Sequence, residues 1–169
     1  MRGSSGPRVL IVMGVSGSGK TTVGRMLAER VGWSFVDADD HHPHANVAKM
    51  ARGEPLTDED RMPWLQRLRS LIDAALVEDT PMVLACSALK QRYRDVLGVG
   101  DPRLVLVYLR GDEARIAERM RARTDHFFRP DLLHSQFEAL EEPRDALVVD
   151  VESTPEVLTD HIVRTLALA

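Results

Sequence analysis

An unbroken apolar run, Val9-Leu10-Ile11-Val12-Met13, passes without a spacer into Gly14-Val15-Ser16-Gly17-Ser18-Gly19-Lys20-Thr21. The run reads as a strand covered on both faces. The octet fits G-x-x-x-x-G-K-[ST], in which glycines let the backbone curl until successive N–H groups point inward as an anion nest. The amphipathic stretch over 22–30 that follows reads as a helix whose positive N-terminal end faces the same point. Strand, loop and helix in that order imply an α/β sheet with a polyphosphate at the carboxyl edge of its strands. Lys20 is expected to reach the β- and γ-phosphates as a mobile charge, and the Thr21 hydroxyl to ligate the accompanying Mg²⁺.

Four more apolar runs follow: Trp33 to Val36, Met82 to Cys86, Leu104 to Leu109 and Ala146 to Val151. Helical patterns separate them, so the expected architecture is an open parallel sheet with helices on both sides. A single domain over residues 8–169 accommodates all of it, since a chain of 169 residues with 44% hydrophobic content can bury a full core. The longest gap, about 41–79, reads as a substrate-binding insertion. A short helix spans Pro43 to Ala51, a turn falls at Gly53-Glu54-Pro55, and a second helix starts near Asp60 with Pro63 in or near its first turn. The apolar face of that second helix is Trp64, Leu65, Leu68, Leu71, Ile72, Ala75 and Leu76. Trp33 and Trp64 are assigned to packing.

The net charge of −4 gives no reason to expect a nucleic-acid partner, and no run approaches the ~20 apolar residues of a membrane span. Cys86 is the only cysteine, which excludes an internal disulfide and a cysteine-based zinc cluster. It sits in an apolar strand and is expected to pack rather than react. A cytoplasmic protein is the expectation.

A phosphate loop alone leaves ATPase, GTPase and kinase open. No Asn-Lys-x-Asp run marks a guanine site, and no apolar run ends in the Asp-Glu pair of a motor ATPase. The second run instead ends in Phe35-Val36-Asp37-Ala38-Asp39-Asp40-His41-His42-Pro43. A carboxylate at the strand tip can hold Mg²⁺, and a second one two residues on can accept the proton of an attacking hydroxyl. Strand alternation puts Asp37 and Asp39 on one side if the chain stays extended; the same residues also suit a polar turn that caps the next helix. His41, His42 and His44 lack metal-ligand spacing and suit either hydrogen bonding to a polyhydroxy substrate or surface exposure.

The third run exits into Ser87, with Lys90 and Arg94 one helical turn apart. Ser87 can reach a metal or substrate; the two cations can grip an anionic group or form a solvated face with Asp95. Arg115, Arg119 and Arg123 form a basic helix with Asp112 and Glu118 as possible ion-pair partners. That helix leads into a lid at about 123–131, where Arg123 and Arg129 are candidates to bring charge over the transferring phosphoryl group and Phe127 and Phe128 to anchor it. In this reading the catalytic residues are Asp39, Lys20 and Arg129. Gly14 through Thr21 and Arg123 bind the nucleotide, Asp39, His42, Lys90 and Arg94 bind the substrate, and Thr21 and Asp37 hold the metal.

Several motifs converge on one family. They are the phosphate loop; Asp37-Ala38-Asp39 with His42-Pro43, Asn46 and Lys49-Met50; Gly53 to Leu56 with Asp60-Arg61 and Pro63-Trp64-Leu65; Cys86 to Lys90 with Tyr93-Arg94-Asp95; and His126-Phe127-Phe128 with Gln136-Phe137-Glu138 and Glu142-Pro143. From about residue 8 to 151 the chain resembles the thermoresistant gluconokinases. The resemblance implies a three-layer, nucleoside-monophosphate-kinase-like P-loop fold with sheet order 2-3-1-4-5. It also implies ATP and Mg²⁺ as cofactors, transfer of the γ-phosphoryl group to the 6-hydroxyl of D-gluconate, and a homodimer. Similarity to the shikimate kinases, which use a strand-end Asp-x-Asp, supports Asp37 near Mg²⁺ and Asp39 at the substrate. Ala38 stands where family members commonly have glycine, and Asp40-His41 replaces a more apolar pair; both departures bear on fine specificity. The competing functions are a kinase for another small hydroxy acid, a nucleoside monophosphate kinase and a non-catalytic ATP-binding module.

Overall fold

A computed structural model describes residues 6–123 and 129–168. Five parallel strands, β1 (Val9–Met13), β2 (Ser34–Asp37), β3 (Met82–Ala85), β4 (Leu104–Arg110) and β5 (Leu147–Asp150), form one sheet in the order β2-β3-β1-β4-β5. All five expected runs are strands, with ends shifted by a residue or two. Strand β1 is central and fully buried, pairing Leu10 with Val83 on one side and Val105 on the other. Pleating sends its residues alternately to two cores. Val9, Ile11 and Met13 face α3 (Asp58–Glu78) and α4 (Gln91–Leu97), packing with Leu65, Leu68, Ile72 and Leu97. Leu10 and Val12 face α1 (Lys20–Val31) and α7 (Pro155–Thr165), packing with Val23, Leu27, Leu158 and Ile162. Helices on both faces make the three layers, and the continuous apolar strands follow from that double coverage.

Three further helices, α2 (His44–Ala51), α5 (Glu113–Arg121) and α6 (Pro130–Ala139), lie between the strands in sequence. A third, smaller core of Val15, Leu89, Ile116, Ala117 and Leu133 ties α5 and α6 to the loops after β1 and β3.

Helix α3 begins earlier than its apolar periodicity predicts. Thr57 caps it by accepting from the Asp60 N–H (3.1 Å), and the Asp60 carboxylate accepts from the Thr57 N–H (2.9 Å), a reciprocal capping box. Pro63 is therefore the sixth residue of the helix, not part of its first turn, and removes the N–H that would bond Glu59. Among the described residues, no helix is long and apolar enough to cross a membrane.

Candidate functional site

The phosphate loop forms at the carboxyl end of β1 because the chain must reverse from strand to helix in six residues. Gly19, at φ 98°, is the N-cap of α1 in the left-handed region, and no side chain among the described residues caps the helix. Its first N–H groups are thus left for a ligand. Gly14 is required for space: a Cβ there would lie 2.5 Å from Ser18 Oγ and 2.9 Å from the Leu109 carbonyl oxygen. Among the described residues the buried Ser18 hydroxyl has no hydrogen-bond partner, and the Gly14 N–H reaches Ser87 O at 3.4 Å. Ser16 is held from α6: its N–H donates to Gln136 Oε1 (2.7 Å), and Gln136 Nε2 donates to Ser16 Oγ (2.9 Å).

Lys20 Nζ donates to Val15 O at 3.1 Å. Burial lowers its pKa, opposed by Asp39, Cys86 and Asp37. A cleft of about 460 Å³ opens over this loop and is walled by Thr21, Asp37, Asp39, Ser87 and Arg123 as well. The predicted nucleotide, metal and catalytic positions around Lys20, Thr21, Asp37, Asp39 and Arg123 therefore do meet in one place.

The two aspartates meet there by a different route from strand alternation. After Asp37 the chain turns into a short 3-10 helix, Ala38–His41, capped by Asp37 Oδ1, which accepts from the Asp39 N–H at 3.0 Å. Asp37 Oδ2 accepts from Thr21 Oγ1 at 3.2 Å. A hydroxyl and a carboxylate oxygen thus lie side by side at the cleft, a hard-oxygen set suited to Mg²⁺, which keeps much of its water and needs few protein ligands. Asp39 is exposed at the cleft mouth. Desolvation and the Asp37 charge raise its pKa, while Lys20 and His42 pull it down.

Helix α3 fixes the 3-10 turn. Trp64 Nε1 donates to Ala38 O (2.7 Å), and Arg67 reaches His41 O (3.3 Å). The Trp64 ring also stacks on His42, with centroids 4.3 Å apart and planes 14° from parallel. His42 Nδ1 lies 3.2 Å from Asn46 Nδ2, which also donates to Asp60 O (2.9 Å). An amide N–H can only donate, so the Nδ1 position accepts and Nε2 carries the ring proton. Burial lowers the His42 pKa, Asp39 raises it, and Arg61 lowers it further. His42 is thereby a fixed, neutral donor beside Asp39. His44 is exposed. Among the described residues, no group of three or more His, Cys, Asp and Glu side chains could hold a metal.

The expected Lys90/Arg94 anion clamp does not form. Arg94 is 1% exposed, and its donors are spent on Ala88 O (2.8 Å), Leu89 O (3.1 Å), Gln91 Oε1 (3.2 Å) and Glu141 O (2.8 Å). It knits the loop after β3, where Ala88 adopts φ 47°, to the end of α6. Lys90 takes a different partner, Asp58, at 3.1 Å. Asp58 also accepts from Arg92 (2.9 Å) and from the Tyr93 hydroxyl. Those bonds, Tyr93 first and then Lys90, hold the Asp58 pKa below the ordinary range. Arg61 joins this network through Tyr93 Oη (3.2 Å). Asp58 and the position of Arg61 were missed from sequence; the Thr57-x-x-Asp60 pattern was the signal that would have started the helix at Asp58.

Cys86 is 1% exposed, and burial pushes its thiol up to about 12, as expected of a packed residue. Arg115 pairs with Glu152 (3.1 Å) and Arg119 donates to Val151 O (3.2 Å). Of the expected partners, Asp112 instead caps α5 through the Arg115 N–H (2.8 Å). Arg129, at the N-cap of α6, pairs with Asp131 (3.2 Å). Most of the expected lid, including His126, Phe127 and Phe128, lies outside the described residues.

The sequence model of the shikimate kinase family matches residues 16–166. The thermoresistant gluconokinase of Escherichia coli (strain K12) is 45% identical over 152 residues, covering 88% of this chain and 87% of that protein. The gluconokinase of Gluconobacter oxydans (strain 621H) is 42% identical, covering 94% and 90%. A gluconokinase structure from Sinorhizobium meliloti 1021 superposes with a TM-score of 0.83 at 42% identity, covering 98% of this chain and 94% of that one.

Proposed function

The chain belongs to the gluconokinase family of ATP-dependent kinases, and from that premise we propose that it transfers the γ-phosphoryl group of ATP to the 6-hydroxyl of D-gluconate, releasing ADP and 6-phospho-D-gluconate. The observation that carries this reading is the placement of Asp39 on the wall of the phosphate-loop cleft, coupled electrostatically to Lys20 and flanked by the Thr21–Asp37 pair.

In this mechanism the loop from Gly14 to Thr21 seats the phosphates through those of its N–H groups that Ser87, Gln136 and Val15 do not occupy. Lys20 exchanges its Val15 carbonyl for the β- and γ-oxygens. Thr21 and Asp37 would hold Mg²⁺, whose charge neutralises the phosphoryl oxygens as negative charge develops. Asp39 accepts the proton of the attacking hydroxyl, and its raised pKa strengthens it as a base. The Lys20 charge opposes that rise.

The substrate module is the 41–79 insertion. His42, braced by Trp64 and Asn46, offers Nε2–H to a second gluconate hydroxyl. With Arg94 committed to backbone carbonyls and Gln91, the gluconate carboxylate falls to two of the three cations around Asp58, Lys90 and Arg61. Arg123, on the cleft wall, contacts the nucleotide phosphates, and Arg129, which is off that wall and paired with Asp131, would have to exchange that partner to approach the transferring group. The working unit is a cytoplasmic homodimer, which light scattering would check.

The test is ADP release with ATP and Mg²⁺ against gluconate, idonate, shikimate and AMP. Gluconate should give the highest kcat/KM. Preference for shikimate would instead favour the reading suggested by the shikimate kinase model, and ADP release independent of every acceptor would overturn the kinase assignment.

A further inference from the structure

Gln136 stands 120 residues from Ser16, on a different element, yet its side chain closes a two-point clamp on the phosphate loop. The chemistry of that clamp fixes the direction of every hydrogen in it. A backbone N–H can only donate, so the atom 2.7 Å from Ser16 N is the amide oxygen, and the atom 2.9 Å from Ser16 Oγ is the amide nitrogen. That nitrogen can only donate. Ser16 Oγ is therefore an acceptor toward Gln136, and its own proton is free for a partner on another side. Ser16 lines the phosphate cleft. Helix α6 is in turn fixed by Leu133 and Phe137, which pack against the core containing Val15 and Ile116.

We propose that Gln136 is a positioning residue for the phosphate loop: it holds the Ser16 hydroxyl in the one sense that lets it donate to a phosphate oxygen. A neutral amide is the side chain that can do this. A glutamate at 136 would accept from both the N–H and the hydroxyl, turning the Ser16 proton away from the cleft and placing a negative charge beside the phosphates. The clamp also withdraws the Ser16 N–H from the nest, leaving the Ser16 hydroxyl as that residue's contribution to phosphate binding.

The inference rests on ATP occupying this cleft, as proposed above, and the test separates the two. ATP affinity is read by calorimetry without acceptor, so a wild type that binds ATP but leaves gluconate untouched counts against the substrate assignment alone. Q136E should weaken ATP binding about 100-fold near neutral pH, the loss of one charge-assisted donor together with added repulsion, while the KM for gluconate stays near wild type. Lowering the pH toward the ordinary glutamic acid range, about 4.3, should shrink that deficit relative to wild type. A protonated carboxyl again offers one acceptor and one donor, and mimics the amide. A merely structural role predicts a deficit that does not move with pH. S16A, which removes the hydroxyl and its bond from Gln136 Nε2 but keeps the Ser16 N–H bond to Gln136 Oε1, should cost about 10-fold in ATP affinity at either pH. Wild-type ATP affinity in S16A, or a pH-independent loss in Q136E, would overturn the proposal. If Q136E proves too unstable to assay, S16A decides it.

Discussion

Two cations, half-buried Lys20 and fully buried Arg94, follow β1 and β3 in the chain, and they are partnered in different ways. Lys20, after β1, has one hydrogen-bond acceptor among the described residues, the Val15 carbonyl, and burial depresses its pKa. Arg94, beyond β3, is more deeply buried and saturated by three backbone carbonyls and one amide. A saturated cation holds a loop in shape and has nothing left for a ligand. An undersupplied one carries a desolvation cost that a polyanion relieves. Saturation, rather than burial, thus separates the functional cation from the structural one.

Replacing each in turn should break that contrast if it is wrong. Lys20→Met is expected to lower kcat/KM by at least ~10³-fold, or about 4 kcal/mol of transition-state stabilisation, in an ADP-release assay. The melting temperature of the unliganded variant should not fall, because the substitution removes a poorly compensated buried charge. Arg94→Met should do the reverse. It strands several buried acceptors and costs about 3 kcal/mol of stability, ~6–12 °C in Tm for a domain of this size. The activity of its folded fraction should fall far less than that of Lys20→Met. A cold-stable Arg94 variant that had lost gluconate binding would return this residue to the substrate site.

Asp39→Asn sharpens the comparison from the anionic side. Turnover should fall at least ~10²-fold with ATP affinity nearly intact. Asp39 holds its proton more tightly in the folded chain than the ordinary value of 3.8, chiefly through desolvation. Ionisation therefore favours the unfolded chain, and wild-type stability declines as pH rises from that value through the raised one. The asparagine variant lacks this decline. Its Tm should match wild type at strongly acidic pH and exceed it at neutral pH by at most ~2–4 °C, since Asp39 is exposed enough for solvent to screen much of the effect. Equal melting curves at every pH would mean that desolvation at the cleft puts no cost on the ionised carboxylate.

These residues also show what the sequence could tell. The strands were legible because burial on both faces leaves continuous apolar runs, and the phosphate loop because backbone geometry demands glycine at set positions. Asp37 and Asp39 were legible as chemistry but not as geometry. Alternation along a strand predicts a shared side, whereas the chain leaves the strand at Asp37, and the 3-10 turn brings both to the cleft. Arg94 was misread because spacing along a helix gives a face, not what meets that face. The carbonyls of Ala88, Leu89 and Glu141 converge on it only once α6 has packed. The same holds for Gln136, whose partner lies at the far end of the chain and which entered the sequence reading only inside a motif. The cap of α3 was the opposite case: Thr57 and Asp60 carried a local signal that the apolar periodicity overshadowed.

An exposed cation completes the series and should give the smallest effect. His134 on α6 lies 3.0 Å from Glu113 on α5 and 2.9 Å from Glu138, and the Glu113 hydrogen bond, followed by the charges of both glutamates, raises its pKa. It is saturated like Arg94 but solvated, so screening removes most of what the pairs could contribute. A histidine with a raised folded pKa contributes stability that is fully present below its ordinary value of 6.5 and is lost as pH rises through the folded value. His134→Gln should accordingly melt slightly below wild type at pH below the ordinary value of 6.5 and match it once the pH has risen past the raised folded value. A deficit as large as that of Arg94→Met, or one that persists at the higher pH, would mean that partner number alone sets the strength of a cation's hold, and that burial adds nothing to it.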